Sequence, residues 1–522
     1  MTQRSTGIIA GHESMHAQAP DARVVGGRLD GLPSGVLDDL RRHVTGGGSL
    51  LIAPEPDDAV AAELAGVAVA GAHPAAEWFV TLMPVPEAAR LDREVPLSAT
   101  LRTFTPLTEE VRVAATAGIA MRDRPVITVR SVGAGRVVAS GIADLERVIA
   151  HPTVGRFVGR LLRRDPPDAR GEIGVAIVGY GPYGGMGFTH GLACAETDGL
   201  RLVAVVDTAP ERLVAAAADF PEMRVYPDAT SLVGDAGVEL VIVATPPASH
   251  ASLALELLRA GRHVVLEKPM CLTTADADRL IAEAERLDRT LTVHQSRRWD
   301  RDFMALREIV SGGRIGEVFN VETFVGGFDH PCRLWHSDEL VSGGAIFDWG
   351  SHHVDWVLRL YGSPPARVIA SAHARVWHDV TNADQVTVWM RWADGREATF
   401  RQSELAAIRR PKFYVQGTAG TIEGHYRPLV TETVEPGRGY AEHHAEAPVT
   451  LRVARYGGPG RLVEEVVPPT AGAGWAFHRN LADHLLLGEP LAVRPEESRD
   501  VVAVLEAAHR SAAAGGIPVD LG

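Results

Sequence analysis

The stretch Val175-Ala-Ile-Val-Gly-Tyr-Gly-Pro-Tyr-Gly-Gly-Met-Gly-Phe188 decides the fold of the larger part of this chain. Its apolar beginning predicts a buried strand, and Gly179, Gly181 and Gly184 follow at GxGxxG spacing before a helical pattern. The first glycine permits a tight turn, the second lets the backbone approach a pyrophosphate, and the helix amino terminus offers N–H groups to an anion. The stretch therefore predicts a dinucleotide-binding turn.

Strands and helical segments alternate regularly after this turn. The predicted strands are Gly174–Val178, Leu202–Val206, Leu240–Ala244 and His263–Leu266. Alternation at this spacing predicts a parallel, doubly wound sheet with helices on both faces. We therefore expect an α/β, NAD(P)-binding Rossmann domain over residues 172–296.

Asp207 follows the second strand and lies 23 residues after Gly184. That spacing is close to the roughly 20 residues expected for an acid that binds a ribose hydroxyl. A carboxylate there bonds the free 2′-hydroxyl of NAD and repels the 2′-phosphate of NADP, so NAD is the predicted cofactor. Arg212 keeps NADP open as an alternative, because its guanidinium is long enough to reach a phosphate.

The chain after residue 296 has a different pattern. Val386, Val388 and Met390 alternate with polar residues, and Asp394-Gly395 supplies a hairpin turn before the strand Glu397–Arg401. These features predict an α+β domain over residues 297–522 with an open, mostly antiparallel sheet and one covered face. Two helices are predicted near its end, at Trp475–Leu486 and Pro495–Ala513.

Residues 1–163 form a third region. Short apolar strands and two helical patterns predict an α/β, flavodoxin-like module; they are Ser49–Ala53, Val126–Val129, Arg136–Ala139, Gly35–Val44 and Thr153–Leu162. The polar, proline-containing segment 164–171 is interpreted as a linker.

Composition excludes several classes of protein. The 522 residues carry a formal net charge of −14, which disfavours nucleic acid and anionic membrane surfaces as partners. The three cysteines, Cys194, Cys271 and Cys332, include no CxxC pair, so neither a disulfide framework nor a cysteine zinc site is predicted. No apolar run has the length of a membrane span, and we expect a cytoplasmic protein.

Two clusters carry acid–base chemistry. Lys268, in Glu267-Lys-Pro269, follows the fourth strand at the sheet edge where such folds bind ligands, although a lysine there is often only a surface residue. In Gly343–Asp355, the residues Asp348, His352 and Asp355 have the spacing of one helix face. An aspartate and a histidine one turn apart suit proton transfer, whereas the neighbouring His353 fits a core position.

These motifs together resemble the Gfo/Idh/MocA oxidoreductase family over about residues 172–522. The resemblance rests on the glycine turn, Asp207, Thr245-Pro-Pro followed by His250, Glu267-Lys-Pro269, Gln295-Ser-Arg-Arg-Trp299 and the Gly343–Asp355 run. It implies hydride transfer between NAD(P) and a secondary hydroxyl of a sugar, cyclitol or related polyol. It also implies a homodimer or homotetramer formed through the open sheet.

The resemblance implies roles for individual residues. It assigns the catalytic group of a lysine, an aspartate and a histidine to Lys268, Asp348 and His352. Our hypothesis is that His352, supported by Lys268, takes the hydroxyl proton and that Lys268 stabilises the developing alkoxide. Asp348 would hold the histidine and a neighbouring substrate hydroxyl. Residues implied to bind the cofactor are Gly179, Tyr180, Gly181, Gly184, Gly187, Asp207, Arg212, Thr245, Pro246, His250, Glu267 and Lys268. Residues implied to bind the substrate are Arg298, Arg333, Trp335, His336, Asp348 and His352.

Several alternatives stay open. Gly187 competes with Gly184 as the third glycine if Pro182-Tyr183 is an insertion. No metal is predicted, because the adjacent histidines of Glu442-His-His444 lie in a polar segment. A redox-assisted eliminase or glycosidase that recycles NAD, and a catalytically silent nucleotide-binding sensor, are rival functions.

Two stretches of residues 1–163, Leu32–Ile52 and Gly133–Ile142, also resemble glutamine-amidotransferase-like or ThuA-like α/β domains. The chain has no cysteine before Cys194, so the cysteine nucleophile of amidotransferases is missing from this region. We expect a non-catalytic module.

Overall fold

The chain divides into two compact units in a computed structural model: residues 1–171 with 483–490, and residues 172–482 with 491–522. The structure describes residues 7–9, 21–88, 91–119, 122–151, 153–163, 171–181, 185–331, 335–426, 429–432, 443–446, 449–470 and 474–521. The predicted linker lies outside these ranges except for Gly171. Within them, no helix combines the length and the apolar character needed to cross a membrane.

The first unit is built on an eight-stranded sheet. Its strands are β1 (Gly7–Ile9), β2 (Ala22–Gly26), β3 (Ser49–Ile52), β4 (Val67–Leu82), β5 (Glu94–Pro106), β6 (Val111–Ile119), β7 (Arg122–Val132) and β8 (Gly135–Ser140). Its helices are α1 (Ser34–Thr45), α2 (Ala59–Ala65), α3 (Leu145–Ala150), α4 (Val154–Leu162) and a 3₁₀ turn at Pro86–Ala88.

The order of this sheet is β1-β2-β3-β8-β7-β6-β4-β5. Only β2, β3 and β8 run parallel to one another, and the remaining pairs are antiparallel. The α/β class is confirmed, but the expected flavodoxin-like arrangement is replaced by a mixed sheet. The difference comes from the long β4–β5 hairpin. Exposed and buried residues alternate along most of β5, so one face of this strand is covered and the other faces solvent.

The second unit begins with a six-stranded parallel sheet of order β11-β10-β9-β12-β13-β14. Its strands are β9 (Ile173–Val178), β10 (Leu200–Val206), β11 (Arg224–Tyr226), β12 (Leu240–Val243), β13 (His263–Leu266) and β14 (Leu291–Val293). Its helices are α5 (Met186–Glu196), α6 (Pro210–Asp219), α7 (His250–Arg259) and α8 (Thr274–Arg286), with 3₁₀ turns at Ala229–Leu232 and Pro247–Ser249.

This sheet is the predicted Rossmann fold. Every residue of β9 and β12 is buried, as expected for strands covered on both faces. The strand order reverses between β9 and β12, and ligands of such sheets bind outside the carboxyl ends of the strands at this reversal. The turns after β9, β12 and β13 therefore surround one crevice.

The rest of the unit carries a nine-stranded sheet of order β24-β23-β20-β19-β15-β18-β17-β16-β25. Its strands are β15 (Val318–Gly326), β16 (Arg367–His373), β17 (Gln385–Arg391), β18 (Glu397–Ser403), β19 (Pro411–Gly417), β20 (Gly420–His425), β23 (Leu451–Tyr456), β24 (Leu462–Val467) and β25 (Val519–Asp520). Two further strands, β21 (Leu429–Glu432) and β22 (His443–Glu446), pair separately.

The helices of this part are α9 (Arg301–Ser311), α10 (Glu339–Ser342), α11 (Gly344–Asp348), α12 (Gly350–Tyr361), α13 (Ala476–Leu487) and α14 (Pro495–Ala513), with 3₁₀ turns at Ser296–Trp299 and Trp335–Ser337. Among the sheet pairs only β15–β18 is parallel. Val386, Val388 and Met390 are buried on one face, which confirms the predicted open, mostly antiparallel sheet.

A buried ion pair lies in the core beneath α12. The ring of Trp356 stacks on Phe303 at a centroid distance of 5.3 Å. The side chain of Lys412 is 2% exposed, and its Nζ donates to Asp302 Oδ2 at 2.9 Å while lying 5.1 Å from the Trp356 ring centroid. The pair fixes the helix from which His352 projects.

We expect Lys412→Met to lower the free energy of unfolding by about 3–5 kcal/mol, because it leaves the Asp302 carboxylate buried without its cation. Arg367→Met is the control; it removes an ion pair with Asp520 in which the two side chains are 48% and 68% exposed, and it should cost about 1 kcal/mol or less. Urea unfolding followed by tryptophan fluorescence measures both. Equal losses in the two variants would show that the buried pair does not stabilise this core.

Candidate active site

The glycine turn after β9 adopts a backbone that other residues rarely reach. Gly179 has φ 93° and Gly181 has φ 77°. A Cβ on Gly179 would lie 2.9 Å from the backbone of Ala244, at the end of β12. The turn therefore lies close to the neighbouring strand end, as a pyrophosphate-binding turn requires.

Gly187 takes the place of the third glycine. Helix α5 begins at Met186 with Gly185 as its N-cap, and no side chain caps its N–H groups. A Cβ on Gly187 would lie 2.5 Å from the Cα of Tyr180, so only glycine lets the helix approach the turn. Gly184, the other candidate, lies outside the described residues.

The side chain of Tyr180 is directed away from the crevice. Its hydroxyl donates to Asp219 Oδ2 at 2.6 Å, and its side chain is fully buried. The predicted cofactor contact of Tyr180 is therefore limited to its backbone.

Asp207 holds the glycine turn in place. Its Oδ2 accepts hydrogen bonds from the N–H groups of Tyr180 at 3.0 Å and Gly181 at 3.2 Å. Its Oδ1 accepts from the N–H of Ala209 at 2.9 Å, and the Arg212 guanidinium lies 3.5 Å away. The carboxylate lies at the strand end where the sequence places it.

His250, predicted to bind the cofactor, links two turns of the structure. The ring is buried, with Nδ1 2.8 Å from the carbonyl oxygen of Pro269 and Nε2 2.7 Å from that of Thr245. The Thr245 hydroxyl in turn lies 2.7 Å from that of Ser249, whose hydroxyl donates to the Pro246 carbonyl. The motif Thr245-Pro246 is thereby tied to the segment that carries Lys268.

Lys268 and Asp348 form the centre of the site. The Lys268 Nζ donates to Asp348 Oδ1 at 2.6 Å and to the Asp348 carbonyl oxygen at 3.2 Å. Burial raises the pKa of Asp348, but the charge and hydrogen bond of Lys268 outweigh it, so this pKa lies below its usual value. The side chains of this ion pair are 21% and 27% exposed, so a substrate can reach them.

The single helix expected through Asp348, His352 and Asp355 is interrupted at Trp349. Helix α11 ends at Asp348 and α12 begins at Gly350. The Asp348 carboxylate, which we predicted to hold His352, is bonded to Lys268. Asp355 instead pairs with Arg298.

His352 is a neutral imidazole in this site. It is 7% exposed, and its Nδ1 has no hydrogen-bond partner among the described residues. Burial lowers its pKa well below the usual value, and the nearby charges of Lys268 and Arg297 lower it further. A neutral ring with a free nitrogen can accept a proton.

Arg298, predicted to bind substrate, is engaged in buried contacts within the protein. Its side chain is 4% exposed, and its Nε donates to Asp355 Oδ2 at 2.9 Å. Its Nη1 donates to Glu497 at 2.6 Å and to the Ala492 carbonyl at 2.9 Å. The guanidinium joins α12 to α14, and Arg333, the second predicted arginine, lies outside the described residues.

Trp335 and His336 lie near the Lys268–Asp348 pair. Their rings stack at a centroid distance of 3.7 Å. Burial lowers the pKa of His336. The Asp348 carboxylate raises this pKa and the Lys268 ammonium lowers it, so the ring interacts with both charges. Its Nδ1 has no partner within the described chain.

Two residues of this region escaped sequence reasoning. Asn382 donates from Nδ2 to the His336 carbonyl at 2.6 Å, and its buried Oδ1 has no partner in the described structure. The Arg297 guanidinium lies 4.7 Å from the Trp349 ring centroid and 3.1 Å from Asp300. Asn382 lies in a turn that carries no sequence motif. Arg297, in contrast, belongs to the Gln295–Trp299 motif of the family resemblance.

Glu267, predicted to bind the cofactor, faces a group of buried histidines. Its Oε1 accepts from His190 Nε2 at 3.0 Å and from His294 Nδ1 at 2.7 Å, and its Oε2 accepts from the Lys268 N–H at 3.1 Å. His478 Nε2 lies 2.9 Å from His190 Nδ1. No spacing in the sequence signals this group, because its members are far apart along the chain.

A Rossmann sheet with a glycine turn, and a charged lysine–aspartate pair at its carboxyl edge, define an NAD(P)-dependent oxidoreductase. Comparisons with known proteins agree with this class. Residues 173–295 match the model of an oxidoreductase family with an NAD-binding Rossmann fold. Residues 303–423 match the GFO/IDH/MocA C-terminal domain.

The chain belongs to the Gfo/Idh/MocA family. It is 31% identical over 251 residues to an uncharacterized oxidoreductase of Escherichia coli, covering 48% of this chain and 70% of the relative. It is 26% identical to the scyllo-inositol 2-dehydrogenase (NADP(+)) of Bacillus subtilis, covering 65% of this chain and 93% of that protein. The crystal structure of an NAD-binding protein from Listeria innocua superimposes with a TM-score of 0.57 and 27% identity over 67% of this chain and 97% of that one.

We expect Gly187→Ala to weaken NAD(P) binding by about 10-fold or more, which corresponds to about 1.4 kcal/mol. The added methyl would meet the backbone of Tyr180 and push α5 away from the turn. Gly234→Ala is the matched control in the same domain, because a Cβ there meets nothing within 4 Å. Calorimetric titration with NAD measures both; unchanged affinity in Gly187→Ala would exclude Gly187 from the turn's function.

Proposed function

We propose that this chain oxidises a secondary hydroxyl of a sugar, cyclitol or related polyol and transfers the hydride to NAD. The observation that carries the proposal is the hydrogen-bonded Lys268–Asp348 pair at the edge of the Rossmann sheet. A positive charge at this position would stabilise the alkoxide that forms from the substrate hydroxyl. The neutral His352 ring provides the proton acceptor.

The cofactor site consists of the glycine turn and its surroundings. The backbone of Gly179, Gly181 and Gly187 and the uncapped start of α5 would hold the pyrophosphate, since a Cβ at Gly179 or Gly187 has no room. Asp207 would hold the ribose hydroxyls. When bound, the nicotinamide supplies the hydride acceptor.

Residues of this chain accept the proton of the substrate hydroxyl. The Lys268 ammonium donates a hydrogen bond to the substrate oxygen, and a ring nitrogen of His352 takes the hydroxyl proton as the C–H bond gives up its hydride. The carbinol carbon becomes a carbonyl carbon, and the proton remains on the imidazole. Asp348 positions Lys268 through the hydrogen bond that it accepts from Nζ, a role that replaces the one predicted for it beside His352.

The polar atoms around the pair support this substrate class. His336 Nδ1 and Asn382 Oδ1 are buried without partners in the described residues, and a substrate rich in hydroxyls would satisfy both. The resemblance of two thirds of the chain to a protein named scyllo-inositol 2-dehydrogenase supports the same class.

The remaining predictions complete the proposal. We propose that the nine-stranded sheet forms the contact of a homodimer or homotetramer. Leu462 and Val466 of the edge strand β24 are about two-thirds or more exposed.

The unit formed around residues 1–163 is proposed to be a ThuA-like, non-catalytic module, consistent with the absence of cysteine from residues 1–193.

Lys268→Met should lower kcat about 10²- to 10⁴-fold while NAD affinity stays within a few-fold, because the charge that stabilises the alkoxide is lost and the glycine turn is untouched. NADH formation from a panel of cyclitols, sugars and glycosides measures the rate, and titration measures NAD affinity. Arg279→Met, which removes an exposed cation from α8, is the control.

Two outcomes would contradict this assignment. Full activity of Lys268→Met would exclude the lysine from catalysis. Conversion of a glycoside, seen by product mass, without net NADH formation would identify the eliminase or glycosidase alternative, in which NAD is recycled.

The position of Asp207 predicts a preference for NAD over NADP of about 10-fold or more in kcat/KM, because a carboxylate repels the 2′-phosphate. Asp207→Ser should narrow this ratio. Initial rates with both cofactors at saturating substrate decide the point. Equal or greater kcat/KM with NADP in the unmodified protein would overturn the preference and favour Arg212 as a phosphate-binding residue.

A further inference from the structure

Three histidines and one glutamate converge below the active-site lysine in a region that the proposed reaction does not use. His190 comes from α5, His294 follows β14, and His478 comes from α13. Glu267 is the residue before Lys268 at the end of β13. All four side chains are buried.

The geometry of the three rings matches the arrangement around a single ion. One ligand atom of each histidine lies within 4.8 Å of those of the other two. The ring centroids are separated by 4.6 Å (His190–His294), 5.1 Å (His190–His478) and 5.4 Å (His294–His478). Three imidazoles on one tetrahedral ion have centroids about 5 Å apart, because each nitrogen lies about 2 Å from the ion.

Glu267 fixes the tautomers of two rings. Its Oε1 can only accept, so His190 Nε2 and His294 Nδ1 carry the protons of these hydrogen bonds. In neutral rings the opposite nitrogens then hold free electron pairs. A carboxylate that binds the far N–H of a ligating histidine is the common outer partner in zinc sites.

The remaining ring completes the set. His478 Nε2 lies 2.9 Å from His190 Nδ1, the distance of two neighbouring ligands on one ion after a shift of about half an ångström. Without an ion, His478 donates a proton to His190 and the group is a closed hydrogen-bond chain. When the ion is bound, this proton lies on His478 Nδ1 instead, so the two states differ by the tautomer of His478 and by the ion.

We propose that His190, His294 and His478 bind one divalent transition-metal ion, with zinc the expected species, and that Glu267 orients two of the rings. The donor set of three imidazoles suits zinc, and the aromatic rings of Phe477 and Trp475 lie against His294 and His478. This differs from the sequence prediction of no metal, which was based on the adjacent His443 and His444. The ion would tie α13 to the Rossmann sheet.

The test uses the full chain without a histidine tag and does not depend on catalysis, so its result is separate from that of the proposed function. Zinc content is measured after growth in zinc-supplemented medium. The chelator-treated protein is then titrated with Co²⁺ and followed by its visible ligand-field bands. We expect about one ion per chain and bands typical of nitrogen ligands in a four- or five-coordinate site.

Variants locate the site. His478→Asn should lose the ion, and Glu267→Gln should weaken binding about 10- to 100-fold through the loss of the outer carboxylate. His509→Asn, whose side chain is 46% exposed on α14, is the control and should retain the ion. Circular dichroism confirms that each variant is folded.

The proposal is overturned if the unmodified protein shows no cobalt bands and less than about one tenth of an ion per chain, a result that needs no variant. It is equally overturned if folded His478→Asn and His294→Gln bind the ion as well as His509→Asn does. If His478→Asn does not fold, the cobalt spectrum of the unmodified protein together with His294→Gln decides.

Discussion

The hydrogen-bonded pair of Lys268 and Asp348 is the interaction on which the proposed active site depends. Its two members come from different parts of the fold: the lysine follows a Rossmann strand, and the aspartate ends a short helix of the carboxy-terminal part. The chain contains only two lysines, and the second is the buried Lys412. All other Lys or Arg positions of the chain are arginines, so the two lysines occur where a compact charge is needed.

Several buried contacts hold that pair in place. The interruption at Trp349 turns Asp348 towards Lys268, while Arg298 bonds Asp355 and Glu497 to fix the helix beyond the break. His250 links the turns that flank Lys268. Buried residues outside the pair thus determine where the Lys268 ammonium lies. In the proposed reaction a displacement of about 1 Å would cost much of the rate.

The sequence predicted the elements whose physics is local. Glycine spacing, apolar runs and the Asp394-Gly395 turn located the Rossmann strands and the hairpin of the second sheet to within a few residues. The sequence did not predict contacts between distant segments, because these arise only when the chain folds. Such contacts include the partners of Asp348, Arg298 and Glu267. They also include the cluster of His190, His294 and His478. The mixed sheet of the first unit was missed because its long antiparallel hairpin has no sequence signal as strong as the glycine turn.

The most direct test of the central claim is a crystal structure of the full chain with NAD and a bound cyclitol. The account predicts one substrate hydroxyl within about 2.6–3.2 Å of both Lys268 Nζ and a ring nitrogen of His352. It also predicts that Asp348 remains hydrogen-bonded to Lys268 and that Arg298 makes no contact with the ligand. A cyclitol bound in this crevice with its reacting hydroxyl away from Lys268 and His352 would contradict the account.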